Sequence, residues 1–372
     1  MTVSDTTIRG VTVSTYRVPT PAPEADGTAT WDATELVVVE PTAGDAVGLG
    51  WSYCAASTAA AAINDLLVPT IIGSDALDVP ASWQRMVTHV RNAGRPGLLS
   101  MAIAAVDLAL WDLKAKLLDL PLDKLLGRAR DTVPVYGSGG FVSLDDEALT
   151  TQLRRWTDEL GIAQVKIKVG ERWGRAPARD LRRARRARVV IGDDVELFVD
   201  ANGGYSRGQA RRLGHAYDDI GVTWFEEPVS SDDLAGLASL RAQLRCDITA
   251  GEYADSSTYT ERMCASGAVD CMQLDVTRCA GITGWMRAAA VADAHGLQVS
   301  GHCAPSLQLA PALSVPNLRH IELFADHERL EPMLFDDVPA VAGGHLIPND
   351  RPGNGMRLTD RAGSYLTGRA TS

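Results

Sequence analysis

Three short stretches decide the fold: Val195-Glu196-Leu197-Phe198-Val199-Asp200, Val222-Thr223-Trp224-Phe225-Glu226-Glu227-Pro228 and Asp247-Ile248-Thr249-Ala250-Gly251-Glu252. Each is an apolar run of strand length that leads straight into an acid. Asp200, Glu226 and Glu252 follow one another at intervals of 26 residues, the length of one strand-plus-helix unit. Working outward, five further runs of the same texture lie at 133–136, 164–169, 271–274, 297–300 and 319–323, which makes eight strand candidates. Amphipathic helical patterns, such as 232–244 and 282–295, fill most of the gaps. Buried strands alternating with helices specify a parallel sheet. Eight such units closed on themselves form a (β/α)8-type barrel. The competing architecture is an open doubly wound sheet, but no G-x-G-x-x-G fingerprint follows an early strand.

The chain before the barrel reads differently. Residues 7–18, 34–40 and 47–53 are expected to be antiparallel strands, with Gly44-Asp45 as a turn signal. Residues 19–31, rich in Pro, Gly and acids, are expected to be a mobile loop. Residues 99–118 carry Ile103, Val106, Leu110, Leu113 and Leu117 at helical spacing, with Ser100 as the expected N-cap. These elements make an α+β domain ending near Gly127. The Gly- and Pro-rich tail after Gly343 is expected to fold back onto it. The organisation is therefore 1–128, 129–342 and 343–372.

Composition bounds the function. The 372 residues carry 36 Lys and Arg against 47 Asp and Glu, a net charge of −11, and 45% are hydrophobic. That balance supports a sizeable core and argues against a nucleic-acid or membrane-surface binder. No apolar run approaches the roughly 20 residues of a membrane span. No secretory signal is visible at the N-terminus. The six cysteines form no C-x-x-C pair, which points to free thiols and a cytoplasmic protein.

In a parallel barrel, the C-terminal strand ends converge on one mouth. Asp200, Glu226 and Glu252 then meet there. Three packed anions repel unless a cation compensates. An all-oxygen set favours a hard ion, Mg2+ over zinc. In Gln164-Val165-Lys166-Ile167-Lys168-Val169, period-2 geometry puts Lys166 and Lys168 on one face and the apolar side chains on the other. Each lysine is expected to depress the pKa of its neighbour, which makes a neutral lysine base accessible. Asp275 and His302 end the next two strands. A hydrogen bond between them would fix the imidazole tautomer and favour its protonated form. Glu322 ends the last strand and, if protonated, could hydrogen-bond a bound oxygen.

The chain resembles the enolase superfamily, in its mandelate racemase subgroup. The resemblance rests on Ala105-Val106-Asp107-Leu108-Ala109-Leu110-Trp111-Asp112 before Leu125-Leu126-Gly127, on the Lys-x-Lys pair, and on Asp200-Ala201-Asn202, Phe225-Glu226-Glu227-Pro228, Gly251-Glu252, Asp275, His302 and Glu322 in family order. It implies a modified TIM barrel, (β/α)7β, under an α+β capping domain built from the N-terminal region and the C-terminal tail. It also implies that Asp200, Glu226 and Glu252 bind Mg2+ and that Lys166 neutralises the substrate carboxylate. Lys168 would be one base, His302, oriented by Asp275, would act on the opposite face, and Glu322 would hydrogen-bond an enediolate. A small-molecule carboxylate is the implied partner, and a homo-oligomer the implied assembly.

Bases on two faces permit several outcomes. The expectation is dehydration of a sugar acid to a 2-keto-3-deoxy acid. Racemisation or epimerisation of a 2-hydroxy acid and cycloisomerisation of a sugar-acid derivative are alternatives; a non-catalytic binding barrel is a remote one. Asp26, Trp31, Tyr53 and Asn202 are the candidate substrate-binding residues.

Overall fold

The computed structural model describes residues 5–372. Eight parallel strands close into a barrel: β5 (Val133–Gly139), β6 (Gln164–Lys168), β7 (Glu196–Asp200), β8 (Val222–Glu226), β9 (Asp247–Ala250), β10 (Cys271–Leu274), β11 (Gln298–Gly301) and β12 (Leu318–Phe324), with β12 pairing back onto β5. All eight expected runs are strands. Val165, Ile167 and Val169 face outward into the main hydrophobic core, beneath the surrounding helices. Inside the barrel, Tyr136, Phe198 and Trp224 form a buried aromatic floor. Phe198 and Trp224 are stacked with ring centroids 5.2 Å apart. Parallel registry sets Lys168 beside Asp200 and Asp200 beside Glu226, so three charged groups share one rung at the mouth. A ten-residue helix, Ala325–Leu334, follows the last strand.

The cap is an antiparallel sheet of β1 (Gly10–Ala25), β2 (Thr30–Ala43), β3 (Ala46–Val47) and β4 (Gly50–Tyr53) with helices on one side. The helix Leu98–Leu117 lies so close to this sheet that a Cβ on Gly50 would sit 2.3 Å from the Ala109 nitrogen. That position therefore needs glycine. This helix also docks on the barrel: Asp107 accepts from the Thr283 amide (2.9 Å) and hydroxyl (2.7 Å). The terminal strand Leu366–Thr371 pairs with β1, Thr12 opposite Thr371.

Two expectations are corrected. Residues 19–31 are not a loose loop: β1 and β2 run on as a bulged hairpin to a tight turn at residues 26–29. The polar sequence hid this because the arm is held by backbone bonds and by the barrel. The Val142 amide donates to Ala25 (2.8 Å) and the Trp173 amide to Gly27 (2.9 Å). Ser100 is not an N-cap; Gly97 caps the helix at φ 75°, and Ser100 is buried within the first turn. No helix among the described residues is long and apolar enough to cross a membrane.

Candidate active site

The barrel mouth and the inner face of the cap enclose a chamber of about 640 Å3. Lys168, Asn202, Glu252 and His302 line it from the barrel, and Asp26, Trp31 and Tyr53 from the cap. Lys166, Asp200, Glu226, Asp275 and Glu322 sit just beneath, all fully buried. The structure thus gathers every sequence-derived candidate in or under one chamber.

Buried acids here are matched to buried cations. The Lys166 ammonium lies 2.6 Å from both Glu226 oxygens, 2.9 Å from Glu322 and 3.8 Å from Asp200. Lys168 bonds Asp200. Burial pulls both lysines down, and Lys166 further lowers Lys168, but the facing carboxylates outweigh these effects and raise both. The neutral lysine expected from mutual repulsion is therefore not what this arrangement gives. The acids outnumber the lysines, and opposite charge at contact distance wins. Burial, then Asp200, pushes Glu226 up to about 7 against the pull of Lys166. Burial opposes ionisation of Glu322, yet Lys166 and His302 hold it well below the usual range. Glu322 accepts from the Cys303 amide at 2.8 Å, and as a carboxylate it would be an acceptor, not the donor that a protonated carboxyl would be.

His302 follows β11 and is aimed by its partners. Its Nδ1 lies 2.8 Å from Asp275. Asp275 also accepts from the Thr277 amide and hydroxyl, both at 2.7 Å, and from the Tyr53 hydroxyl at 2.5 Å. Burial opposes the imidazolium, but Cys303, Glu252, Glu322 and Asp275 together raise His302 well above its ordinary value. The next two residues are held left-handed, Cys303 at φ 52° and Ala304 at φ 42°. Such strain persists only where surroundings over-determine it. Here the Ala304 amide bonds His327 Nδ1 at 2.8 Å while the Cys303 amide bonds Glu322.

The donor set suits a hard divalent ion. Asp200, Glu226 and Glu252 offer only oxygen from three successive strands. The Glu252 Oε2 and Glu227 Oε1 atoms are buried without a hydrogen-bond partner. Atoms of Glu226, Glu252 and His302 approach within 4.8 Å of one another. Asn202 steadies Asp200 through its amide nitrogen (2.9 Å) and Nδ2 (3.3 Å).

Matches to known proteins agree with this geometry. The mandelate racemase / muconate lactonizing enzyme N-terminal domain matches residues 8–127, and the enolase C-terminal domain-like family matches 148–362. The chain belongs to the enolase superfamily, in its mandelate racemase subgroup. A mandelate racemase/muconate lactonizing enzyme-like protein from Rubrobacter xylanophilus superposes with a TM-score of 0.93 at 44% identity, covering 97% of this chain and 100% of that one. The L-talarate/galactarate dehydratase of Salmonella typhimurium is 33% identical over 86% of this chain and 78% of its own length. Its structure liganded with Mg and L-lyxarohydroxamate superposes with a TM-score of 0.91 at 28% identity, over 98% and 94% of the two chains. The 3,6-anhydro-alpha-L-galactonate cycloisomerase of Streptomyces coelicolor is 32% identical over 97% of this chain and 100% of its own length.

Some site residues escaped the sequence reading. Arg278 donates to Glu252 at 2.8 Å, lies 3.7 Å from Asp275, and sits over the Tyr53 ring. His327 lines the chamber as a neutral acceptor, lowered to about 4 by burial. Arg278 carries a readable signal, three residues past Asp275; His327 carries none. Asp26 also differs in detail, since its Oδ1 accepts from the Thr28 amide (2.6 Å) and the Ala29 amide (2.7 Å) and so caps its own turn. Trp31 is a wall residue, its indole donating to Glu24 at 3.0 Å and its ring set edge-on against Phe141.

Proposed function

We propose that this enzyme removes the proton alpha to the carboxylate of a sugar acid, forms an enediolate and expels the β-hydroxyl, giving a 2-keto-3-deoxy acid. The observation that carries this reading is the placement of Lys168 and the His302–Asp275 pair. They reach one chamber from β6 and β11, three strands apart around the barrel, so both faces of a carbon between them are served. Lys168 would take or return a proton on one face. His302, fixed in tautomer by Asp275, would act on the other and protonate the departing hydroxyl. Lys166 would neutralise the substrate carboxylate, and Glu322 would anchor Lys166. Asp200, Glu226 and Glu252 would hold Mg2+, which when bound supplies Lewis-acid stabilisation of carboxylate charge and draws acid charge away from the lysines.

The test is incubation with Mg2+ and a library of sugar acids and 2-hydroxy acids in deuterated water. A dehydratase forms a keto product that semicarbazide detects. A racemase gives exchange and inversion without mass loss. Lys168→Ala and His302→Asn should each lose about 10²–10⁴-fold on at least one stereochemical face. Full activity in both variants refutes the reading. Cycloisomerisation is the second reading, favoured by the full-length match to the Streptomyces cycloisomerase. It would appear as an isomeric product that retains the mass of its substrate.

A further inference from the structure

The relatives named above include one enzyme of a dicarboxylate, galactarate, and one of a monocarboxylate, an anhydrogalactonate. Family membership therefore leaves open what the far end of the substrate carries. We infer that the substrate is a monocarboxylic sugar acid, uncharged at the end remote from the reacting carboxylate, and that the cap wall rejects the matching dicarboxylate. This rests on the proposed sugar-acid chemistry and adds the substrate class to it.

The charge of the chamber carries the inference. Among the described residues, three Lys and Arg side chains line it, with His302 beside them at the reacting end: Lys168, Arg278 and Arg17. Two belong to the reacting end, since Lys168 bonds Asp200 and Arg278 bonds Glu252. Among the described residues, only Arg17 stands on the cap wall, and its guanidinium already pairs with Asp32 at 2.8 Å. Around it are the carboxylates of Asp26, Asp32, Glu35 and Asp326. One arginine against four acids is a formal −3. Crediting Arg329, which pairs with Asp326, leaves −2. The Asp26 carboxylate is engaged by its own turn and the Asp326 carboxylate also accepts from the Thr34 hydroxyl, but neither contact cancels a charge.

A second substrate carboxylate would thus meet surplus negative charge, screened in part by water because Asp32 and Glu35 are exposed. Capturing it with Arg17 would draw that guanidinium from Asp32; the pair is exposed, so its loss is small and offsets part of the gain. Sugar hydroxyls fare differently. They donate to carboxylates, exchange hydrogen bonds with Thr30 and Thr34, and pack against the rings of Trp31 and Phe324. The same wall therefore attracts a polyol tail and repels an anionic one, which is specificity by mismatch as well as by fit.

The experiment compares configurationally matched pairs, D-gluconate with D-glucarate and D-galactonate with galactarate, using the Mg2+-loaded enzyme. Turnover is read with semicarbazide, α-proton exchange by NMR, and binding as the ligand-induced rise in Tm. In each pair that reacts, kcat/KM for the monoacid should exceed that for the diacid by about tenfold or more, equivalent to ~1.4 kcal/mol. The monoacid should also give the larger Tm rise. Asp32→Asn, at a side chain 77% exposed, frees Arg17 and should raise the diacid-to-monoacid ratio by about threefold or more. Equal or better use of the diacids, an equal or larger Tm rise with them, or an unmoved ratio in Asp32→Asn overturns the inference and leaves the dehydratase reading standing. Absence of both turnover and exchange across the whole library overturns the dehydratase reading, and the Tm preference within the matched pairs then still decides the charge inference by itself.

Discussion

The Tyr53 hydroxyl crosses from the cap to Asp275, the residue that orients His302. Burial holds this phenol well above its ordinary range, so it is a donor. Removing it leaves Asp275 less constrained and His302 less firmly aimed. A hydrogen bond to a charged group contributes about 1.5–3 kcal/mol, so Tyr53→Phe should lower kcat by about tenfold or more while KM changes little. The proton transfer assigned to His302 should suffer more than that assigned to Lys168, which isotope exchange on each substrate face would separate; an unchanged kcat sinks the role. A second residue tests burial away from the chemistry. Glu331 lies against the start of the helix Pro305–Ser314, bonded to the Ser306 hydroxyl, and burial pushes it up to about 8. A carboxyl raised in the folded state contributes its full stability below the unfolded value, about 4.3, and loses it as pH rises through about 8. Glu331→Gln removes that titration. Its Tm should therefore match the parent near pH 5 and exceed it by several degrees near pH 9, and a pH-independent difference in Tm would refute the assignment.

At the scale of elements, the β1–β2 hairpin forms one wall of the chamber, and its tip is fitted to the barrel without clearance. A Cβ on Gly27 would lie 2.4 Å from the Val169 carbonyl oxygen and 2.9 Å from that of Gly170. Gly27→Val should therefore lift the tip while the cap sheet, built farther back, stays intact. The expected outcome is a several-fold higher KM, faster proteolysis within residues 20–31 and a Tm within ~2 °C of the parent. Retained KM and protease resistance would show that the tip does not close the site. This hairpin also marks the limit of what the sequence discloses. The barrel strands were legible because strands covered on both faces are largely apolar, as in Leu197–Val199 and Trp224–Phe225, and because their acids recur in phase. Residues 19–31 carry no apolar alternation, since that arm is ordered by ladder bonds and by backbone contacts more than a hundred residues away. The contact of Tyr53 with Asp275 was obscure for the same reason, since it spans 222 residues. The lysine charge state was misjudged because it depends on a sum over Asp200, Glu226 and Glu322, not on the Lys-x-Lys spacing alone.

Across the whole molecule, two hydrophobic cores, one in the cap and one spanning cap and barrel, are tied together at Asp107–Thr283 and at Trp83, whose indole donates to the Ala280 carbonyl at 2.8 Å. The charged centre lies where these bodies meet, and Asp200, Glu226, Glu252 and Glu322 each have a protein cation beside them: Lys166 for Glu226 and Glu322, Lys168 for Asp200, Arg278 and His302 for Glu252. Removing a divalent ion should therefore weaken the fold without abolishing it, unlike a structural zinc domain that unfolds on chelation. A ligand that binds only the folded state adds about 2.7 kcal/mol at a hundredfold excess over Kd. For a chain of this size that is a Tm rise of several degrees. Calorimetry should show one folded transition in EDTA, moved upward by Mg2+ in a concentration-dependent way. In Glu252→Gln the Mg2+-dependent rise should shrink or vanish, while Lys168→Ala should keep it, because only the first loses an oxygen anion from the set. A parent protein whose Tm ignores both Mg2+ and EDTA, or a Glu252→Gln variant that still responds fully, would place the ion elsewhere and remove the electrostatic reason for gathering three acids at one mouth.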